Sequence, residues 1–349
     1  MKRTITIIAA GLIILLGLFG IFILWGSSKT VSDEIYTNGI IIDGPGTPEK
    51  GKRTYSIMTY NVGYASGMAN SMPEVPGKDF FDKNLQTMIE MIADHNPDIL
   101  CVQEIDIESK RSLHVDQVEK ITEKIGYVNT AFAPNFSKNY VPFPYWPPSA
   151  HWGRVYSGQA VFSTLPLKDQ QIIHLDPPEI YSWIYNLFYI GRAIQRTDVT
   201  INGQKVYIFN VHLEAWDGDT REKQAHRLLE LYNEVKDHPV IIAGDFNVTP
   251  SYATRKHDFP DDSYGIVDYR GEKTINIILS EKTLRTAISR ERYLSSEHKF
   301  MTYTSVNPHM KIDYIFYNNH IKPVRSYVVE KKVSASDHRP LFMEFTVSR

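Results

Sequence analysis

The stretch VIIAGDFNVTP, residues 240–250, most restricts how this chain can fold. Its apolar part, residues 240–243, has the length and the β-branched side chains of a buried strand. The run breaks at Gly244, and Asp245 and Asn247 follow at once. A strand with an acid and an amide at its end offers oxygen ligands to a hard cation, or acceptors to a water molecule. Gly-Asp and Asn are also common turn residues, so the stretch alone does not define a site.

The same arrangement recurs along the chain. From Tyr55 onward, strand-like apolar runs alternate with amphipathic helical segments, which is typical of a layered α/β protein. Six of these apolar runs carry acids, amides or imidazoles at or near one end, namely Asn61, Glu104, His212, Asp245, Asn247, Asp313, Asp337 and His338. Each residue alone has an ordinary explanation as a turn, surface or core residue. Together they predict one site at the rim of a sheet.

The types of residue in this set indicate its chemistry. Carboxylate and amide oxygens without a Cys or His cluster suit Mg²⁺, Mn²⁺ or Ca²⁺ rather than structural zinc. Hydrolysis of a phosphate ester needs an activated water and stabilisation of charge on the phosphoryl oxygens. Imidazole titrates near neutral pH, so one histidine can take a proton from water while another donates to the phosphate. Asp313 is placed to hold one imidazole in its working tautomer.

The N-terminus predicts a membrane segment. Lys2 and Arg3 precede an uncharged apolar run, and about 20 apolar residues suffice to cross a bilayer. We expect residues 1–26 to be an uncleaved anchor, with the N-terminus in the cytoplasm and the rest of the chain outside it. The alternative is a signal segment that is cleaved to give a secreted protein. Residues 27–53 are rich in turn residues and predict a linker, which leaves residues 54–349 as the catalytic domain.

Composition narrows the class of partner. The formal net charge is −2, so the chain has no bulk attraction to nucleic acid, although a local basic groove stays possible. The single cysteine, Cys101, lies in an apolar run and is expected to be a buried hydrophobic residue. Arg192 and Arg196 have a spacing that only suggests contact with phosphate, and we expect both on the exposed surface. We also expect a monomer.

Six motifs around these residues resemble the endonuclease/exonuclease/phosphatase superfamily, which includes deoxyribonuclease I, abasic-site endonucleases, neutral sphingomyelinases and inositol polyphosphate 5-phosphatases. The motifs are TYNV at Asn61, VQE at Glu104, NVHL at His212, GDFN at Asp245 and Asn247, IDYIF at Asp313, and SDHRP at Asp337 and His338. They follow the family order over residues 55–349. The resemblance implies an α/β (α+β) fold of four layers, in which helices flank two packed, mostly antiparallel β-sheets.

The resemblance also implies one metal-centred site. Glu104 would be the principal ligand of Mg²⁺, with Asn61 beside it. Asp337 would complete the metal shell. Mn²⁺ or Ca²⁺ are alternatives to Mg²⁺.

The remaining residues of the set receive catalytic roles from the same resemblance. Asp245 and Asn247 would position the attacking water and the phosphate. His338 would be the general base, oriented by Asp313. His212 would hydrogen-bond a phosphoryl oxygen or protonate the leaving group.

The sequence leaves the substrate open. The 5-phosphatases carry a Trp-Cys-Asp-Arg type of motif where this chain has KIDY around Asp313, which argues against an inositol polyphosphate. No basic cluster with interleaved aromatics supports a nucleic acid. The aromatic segments 140–152 and 181–189, with the anchor, favour a lipid, because Tyr and Trp prefer membrane interfaces and sphingomyelinase-like relatives reach lipid with apolar protrusions. The alternative is that these aromatics only pack loops over the sheet.

We therefore predict a membrane-tethered, metal-dependent phosphodiesterase or phosphomonoesterase. Its substrate would be a phospholipid or sphingolipid headgroup, or a nucleic acid. The alternatives are a non-catalytic binding module and a membrane-anchored protein scaffold, each of which would retain the fold.

Overall fold

Two β-sheets that pack face to face form the centre of the molecule, with helices on both outer faces. The computed structural model describes residues 2–42, 44, 51–70, 72, 76–260 and 268–348. The described helices are α1 (Lys2–Ser27), α2 (Asp33–Asn38), α3 (Lys78–His95), α4 (Gln117–Ile125), α5 (Trp183–Phe188), α6 (Gly218–Asn233), α7 (Thr274–Ser280) and α8 (Arg290–Ser295). The described strands are β1 (Ile40–Ile42), β2 (Tyr55–Asn61), β3 (Ile99–Asp106), β4 (Asn129–Val141), β5 (Gly153–Ser163), β6 (Leu167–Leu175), β7 (Arg192–Ile201), β8 (Gln204–His212), β9 (Val240–Asp245), β10 (Arg285–Thr286), β11 (Asp313–Tyr317), β12 (Ile321–Val328) and β13 (Leu341–Val347).

The strand order differs between the two sheets. The first sheet has seven strands in the order β1-β4-β5-β3-β2-β13-β12, and the second has six in the order β10-β11-β9-β8-β7-β6. Among the described strands, neighbours run antiparallel except for the pairs β2–β3 and β8–β9. The expected fold, two packed and mostly antiparallel sheets flanked by helices, is confirmed.

The side chains of β9 point alternately to the two faces of their sheet and so hold the layers together. Ile241 and Ala243 pack in the apolar cluster between the sheets. Val240 and Ile242 point the other way, into the cluster that α6 and α7 cover. Because successive side chains of a strand point to opposite faces, covering both faces makes the whole run apolar. Cys101 also lies between the sheets, so its predicted role as a buried hydrophobic residue is confirmed.

The pairing of the strands brings their polar ends to one rim. In the parallel pair β8–β9, His212 lies opposite Asp245. The antiparallel neighbour β11 places its first residue, Asp313, on the other side of Asp245. Strands β2 and β3 are parallel as well, so Asn61 and Glu104 come to one end of the other sheet. The inter-sheet packing then sets the two groups side by side.

The segment 27–53, expected to be a linker, contains ordered structure in its first half. Helix α2 follows α1 closely, and β1 then extends the seven-stranded sheet by pairing with β4, with Ile40 opposite Phe132. The three consecutive isoleucines of β1 cover an edge of the sheet that would otherwise be unpaired. Residues 43 and 45–50 of the expected linker lie outside the described residues.

Helix α1 is the one described helix that is long and apolar enough to cross a membrane. Its 26 residues span about 39 Å at the usual rise of an α-helix. None of its apolar core is buried in the protein, so it is not a core helix of the folded domain. A membrane span and a signal sequence both fit these properties, and the division into anchor and catalytic domain stays a prediction.

Candidate active site

The structure gathers all eight predicted polar residues at the common rim of the two sheets, with Asp245 at their centre. One oxygen of Asp245, Oδ2, accepts a hydrogen bond of 2.9 Å from the Asn61 amide and faces His212 Nε2 at 3.6 Å. The same oxygen lies 3.7 Å from His338 Nε2. Its other oxygen accepts 2.8 Å from the backbone N–H of Asn247. Burial raises the pKa of Asp245 to about 7.

His338 and Asp313 form a buried dyad. His338 Nδ1 lies 3.0 Å from Asp313 Oδ2, and this contact assigns the proton of the ring to Nδ1. Nε2 is then the basic nitrogen and points toward Asp245. Burial would lower the pKa of His338, but the charges of Asp313 and Asp245 outweigh it and hold that pKa well above its usual value. In its neutral form, a ring whose pKa is raised and whose tautomer is fixed by a carboxylate is a strong base that can take a proton from water.

Glu104 is the most accessible acid of the group. It lies within an irregularity of the β3–β5 ladder and has a positive φ of 54°, a strained backbone that turns its side chain into the site. The side chain keeps 17% exposure, whereas those of Asp245 and Asp313 keep 1%. Asp337 lies on the same side, where burial, with the nearby charge of Glu104, raises its pKa.

These residues fit a hard divalent cation. Four carboxylates, those of Glu104, Asp245, Asp313 and Asp337, share one small region. Buried negative charge in such excess needs a compensating cation. Ligand atoms of Asp245, Asp313 and His338 also lie within 4.8 Å of one another. The hydrogen bond between Asp313 and His338 already uses an atom of each of these two residues. Ligation of the ion by Glu104 and Asp337 stays a prediction.

Asn61 does not direct its oxygen toward the expected metal position. Its NH₂ group donates to Glu104 Oε1 at 3.0 Å and to Asp245 Oδ2, while its oxygen accepts from the N–H of Gly63. In this arrangement Asn61 ties a carboxylate of one sheet to a carboxylate of the other. Direct ligation requires the amide to turn, so the role of Asn61 as a ligand stays a prediction.

His212 is held next to an arginine. Arg192 begins β7, and its Nη1 contacts both ring nitrogens of His212, with Nδ1 at 3.2 Å. Burial, and then the charge of Arg192, hold the pKa of His212 well below its usual value. A neutral imidazole here suits a hydrogen bond to a phosphoryl oxygen. Arg192 is buried at the site, so its expected surface position is wrong, whereas Arg196 is partly exposed and pairs with Glu234 at 2.7 Å.

Sequence reasoning missed Arg111. Its guanidinium makes two hydrogen bonds to Asp106, at 3.0 and 2.9 Å, and lies against the rings of Tyr64 and Trp152. The side chain is buried, and it lines a small recess together with Arg192 and His212. No local pattern marks this arginine, because only the fold brings the turn after β3 to the site.

The recess has unused hydrogen-bond donors. Among the described residues, Arg111 Nη1 has no hydrogen-bond partner, and Arg192 Nε has none either but faces Glu214 Oε2 at 4.0 Å. Buried guanidinium groups seldom leave donors unpaired, and phosphate oxygens are their preferred acceptors. The recess also contacts Glu104, so an anion there would lie next to the carboxylate group.

The fold and the rim together define a phosphoesterase scaffold of the deoxyribonuclease I type. The model described as Endonuclease/Exonuclease/phosphatase family matches residues 58–338. The chain belongs to this family. A search of the curated proteins gives no match.

Solved structures share the fold at low sequence identity. An endonuclease/exonuclease/phosphatase from Beutenbergia cavernae has a TM-score of 0.59 and 19% identity, over 85% of this chain and 72% of that chain. The human nocturnin catalytic domain with bound sulfate has a TM-score of 0.55 and 20% identity, over 88% and 97%. A mannosyl-6-phosphatase from Bacteroides thetaiotaomicron has a TM-score of 0.55 and 16% identity, over 84% and 99%. These likenesses concern the fold alone.

Proposed function

We propose that this protein is a divalent-metal-dependent phosphodiesterase that hydrolyses its substrate with a water activated by His338. The observation that carries the proposal is the dyad of His338 and Asp313, whose basic nitrogen points into a cluster of carboxylates. A general base of this kind contributes about 10²–10⁴-fold to a hydrolysis rate.

The chain's own residues divide the work in the proposed reaction. His338 Nε2 takes the proton from water, and the carboxylate of Asp313 stabilises the imidazolium that forms. Asp245 and Asn247 position the water and the phosphate. A Mg²⁺ ion at Glu104, when bound, stabilises negative charge on the phosphoryl oxygens.

In the proposed reaction, the phosphate is bound by the side of the site that contains His212 and the two buried arginines. Neutral His212 donates a hydrogen bond to a phosphoryl oxygen. The unpaired donors of Arg192 and Arg111 bind a further oxygen in the recess. Each charge-assisted hydrogen bond is worth about 1.5–3 kcal/mol.

The proposal includes a membrane anchor. Helix α1 would cross the bilayer with Lys2 and Arg3 on the cytoplasmic side, and the catalytic domain would lie on the other side. We propose that the anchor is retained. Protein gel mobility and N-terminal sequencing of the chain from membranes test this, since cleavage would remove about 26 residues.

A hydrolysis assay tests the catalytic part. The full chain in detergent is incubated with a chromogenic phosphodiester, plasmid DNA, RNA, sphingomyelin and phosphatidylinositol phosphates, with Mg²⁺ or with EDTA. We expect Mg²⁺-dependent hydrolysis of at least one compound, lost in His338→Ala and in Glu104→Ala. His226→Ala, on the exposed face of α6, is the matched control and should retain activity.

The same assay separates the alternatives. A wild-type chain that hydrolyses none of these compounds, yet binds one of them, is a binding module. A scaffold would keep its cellular role when Asp245 is changed to Ala, whereas a phosphodiesterase would lose it.

A further inference from the structure

The structure leaves no spacer between the end of α1 and the catalytic domain. Lys138 Nζ donates to the carbonyl of Ser27 at 3.0 Å. Asn139 donates from its side chain to the carbonyl of Trp25 at 3.2 Å and from its backbone to that of Ser28 at 3.0 Å. These bonds fix the last turn of α1 to strand β4. A domain held in this way has one orientation relative to the helix.

Both aromatic segments contact the same end of α1. The ring of Tyr140 lies 5.6 Å from Phe22 and 6.2 Å from Trp25. Gly26 lies so close to Phe188 that an added Cβ would stand 3.2 Å from the ring. The two segments are also neighbours: partial burial, and then the nearby Tyr185 of the other segment, raise the pKa of Tyr145 to about 12.

Around this end of α1 the segments expose a group of large apolar side chains, which we call the aromatic collar. The collar consists of Tyr145, Trp146, Ile180, Trp183, Ile184 and Tyr185. Trp146 is 78% exposed and Trp183 is 71% exposed, values that are unusual for residues with so much apolar area. The segments that carry the collar contact α1 through Tyr140 and Phe188, so the collar lies near the exposed apolar surface of that helix. Exposed apolar surface of this kind marks a contact with a partner or a membrane.

The inner ends of the same segments form walls of the active site. Tyr189 donates to Glu214 at 2.5 Å and packs against Trp216, which in turn faces the guanidinium of Arg192. On the other side, Trp152 packs against Arg111. Ring contacts join Tyr185 of the collar to Tyr189 at the site wall.

A cavity also lies between the helix end and the site. Its volume is about 160 Å³, and its lining includes Lys138, which bonds α1, and Arg192, which contacts His212. From the rim outward, the site wall comes first, and the cavity then lies against the segment 181–189, which carries part of the collar. The ring contacts from Tyr185 to Tyr189 and on to Trp216 place the collar on the site's own side of the domain, not on its far side.

We propose that the aromatic collar inserts into the bilayer interface beside α1 and presents the active site to phosphate esters of lipids in the same bilayer. The proposal rests on the retained anchor and the hydrolase activity proposed above. Tyr and Trp prefer the headgroup region, where an amphipathic ring finds both an apolar and a wet environment. Segments 140–152 and 181–189 contain no Lys, Arg, Asp or Glu. Binding of a nucleic acid backbone needs Lys and Arg, so the collar fits a lipid surface instead.

Vesicle assays with a paired variant test this inference. The full chain is reconstituted into vesicles that contain phosphatidylcholine, sphingomyelin and phosphatidylglycerol. The Trp146→Ser/Trp183→Ser variant should hydrolyse vesicle lipid about tenfold or more slowly than the wild type. The reason is that its active site is no longer held at the bilayer interface. Its activity on a soluble chromogenic diester should be unchanged. The matched control, Leu294→Ser/Val324→Ser, removes two exposed apolar side chains outside the collar and should change neither activity.

Fluorescence gives a second readout that needs no catalysis. Brominated lipids should quench the tryptophan emission of the wild type more than that of the Trp146→Ser/Trp183→Ser variant. Equal quenching in the two proteins, or equal hydrolysis of vesicle lipid, would overturn the inference. The inference would also be overturned if the Trp146→Ser/Trp183→Ser variant lost activity only on a single-stranded oligonucleotide. That result would assign the collar to base stacking. A wild type that is inert to every phosphoester refutes the proposed hydrolase and the lipid substrate, while quenching still decides whether the collar contacts the bilayer.

Discussion

Changing Asp313 to Asn isolates the charge of the dyad. The amide matches the carboxylate in shape, and Asp313 Oδ1 has no hydrogen-bond partner among the described residues. Because no donor contacts Oδ1, nothing holds the amide oxygen of the variant at that position and turns its NH₂ group toward His338. The amide oxygen can therefore still accept from Nδ1 of His338. The variant therefore loses the energy difference between a charge-assisted hydrogen bond and a neutral one. With about 1.5–3 kcal/mol for the former and about 1 kcal/mol for the latter, the difference is about 0.5–2 kcal/mol, and we expect kcat to fall by about 2–30-fold.

This loss is smaller than the roughly 10⁴-fold loss in Ser-His-Asp triads, where the same change imposes the wrong tautomer. Asp313→Ala removes the acceptor altogether and should be less active than Asp313→Asn. Steady-state kinetics on the chromogenic diester measure both variants, and thermal unfolding shows whether they stay folded. Asp82→Asn, at an exposed ion pair with Lys78, is the control for a lost surface charge.

A double variant makes the test sharper. If Asp313 acts through His338, adding Asp313→Asn to His338→Ala should lower kcat no further than about threefold, because the two residues work as a unit. An Asp313→Asn enzyme with the kcat of the wild type, or one that loses as much activity as Asp313→Ala, would refute the reasoning. So would losses that simply add in the double variant.

Three further changes test other parts of the site. Glu104→Gln keeps the size of the side chain but removes its charge, so the Mg²⁺ concentration for half-maximal activity should rise by about tenfold or more; an unchanged Mg²⁺ response would place the ion elsewhere. Arg192→Met should lower kcat/KM by about 10–100-fold through the lost phosphate contacts, while Arg196→Met, in the same strand, should have little effect; equal effects of the two changes would contradict the assignment. Gly244→Ala should cost about 3 kcal/mol or more of unfolding free energy in urea, because its φ is 153° and a Cβ would lie 1.9 Å from a carbonyl oxygen of β8. Gly271→Ala meets no atom within 4 Å, and a similar cost there would remove this explanation.

Much of the site could be predicted because its residues follow directly from strand ends. Asp245 comes after a run of four apolar residues, and Asp313 begins another such run. Strand pairing fixes which residues lie opposite, so His212, Asp245 and Asp313 had to meet once the order β8-β9-β11 formed. Local sequence therefore carries most of this information.

The arginines show the limit of local reasoning. Arg111 lies in a turn and Arg192 near a glycine, and neither carries a pattern that separates it from a surface arginine. Their burial depends on long-range packing, against Asp106 in one case and against His212 in the other. Strand β1, within the predicted linker, was missed for a related reason, since it gains its partner only from the edge of β4, about 90 residues away.

A buried polar network under the site also escaped prediction. Asn210 donates to Gln195 of its own sheet and to backbone carbonyls of the other sheet, while Gln103 donates to Asn210 at 2.6 Å. Gln159 donates to the backbone of Asn210. In the sequence these amides interrupt strand patterns without explanation. In the fold they hydrogen-bond to one another between the sheets, where unpaired polar groups are costly, and within this group only Gln103 Oε1 has no partner among the described residues.

The central claim is that water, activated by His338, attacks phosphorus. Hydrolysis of a phosphodiester in ¹⁸O-labelled water, with the products analysed by mass spectrometry, tests it most directly. The account predicts one ¹⁸O atom in the phosphate product of each turnover, no label in the released alcohol, and no turnover in His338→Ala. Label in the alcohol, or full activity of His338→Ala, would contradict it.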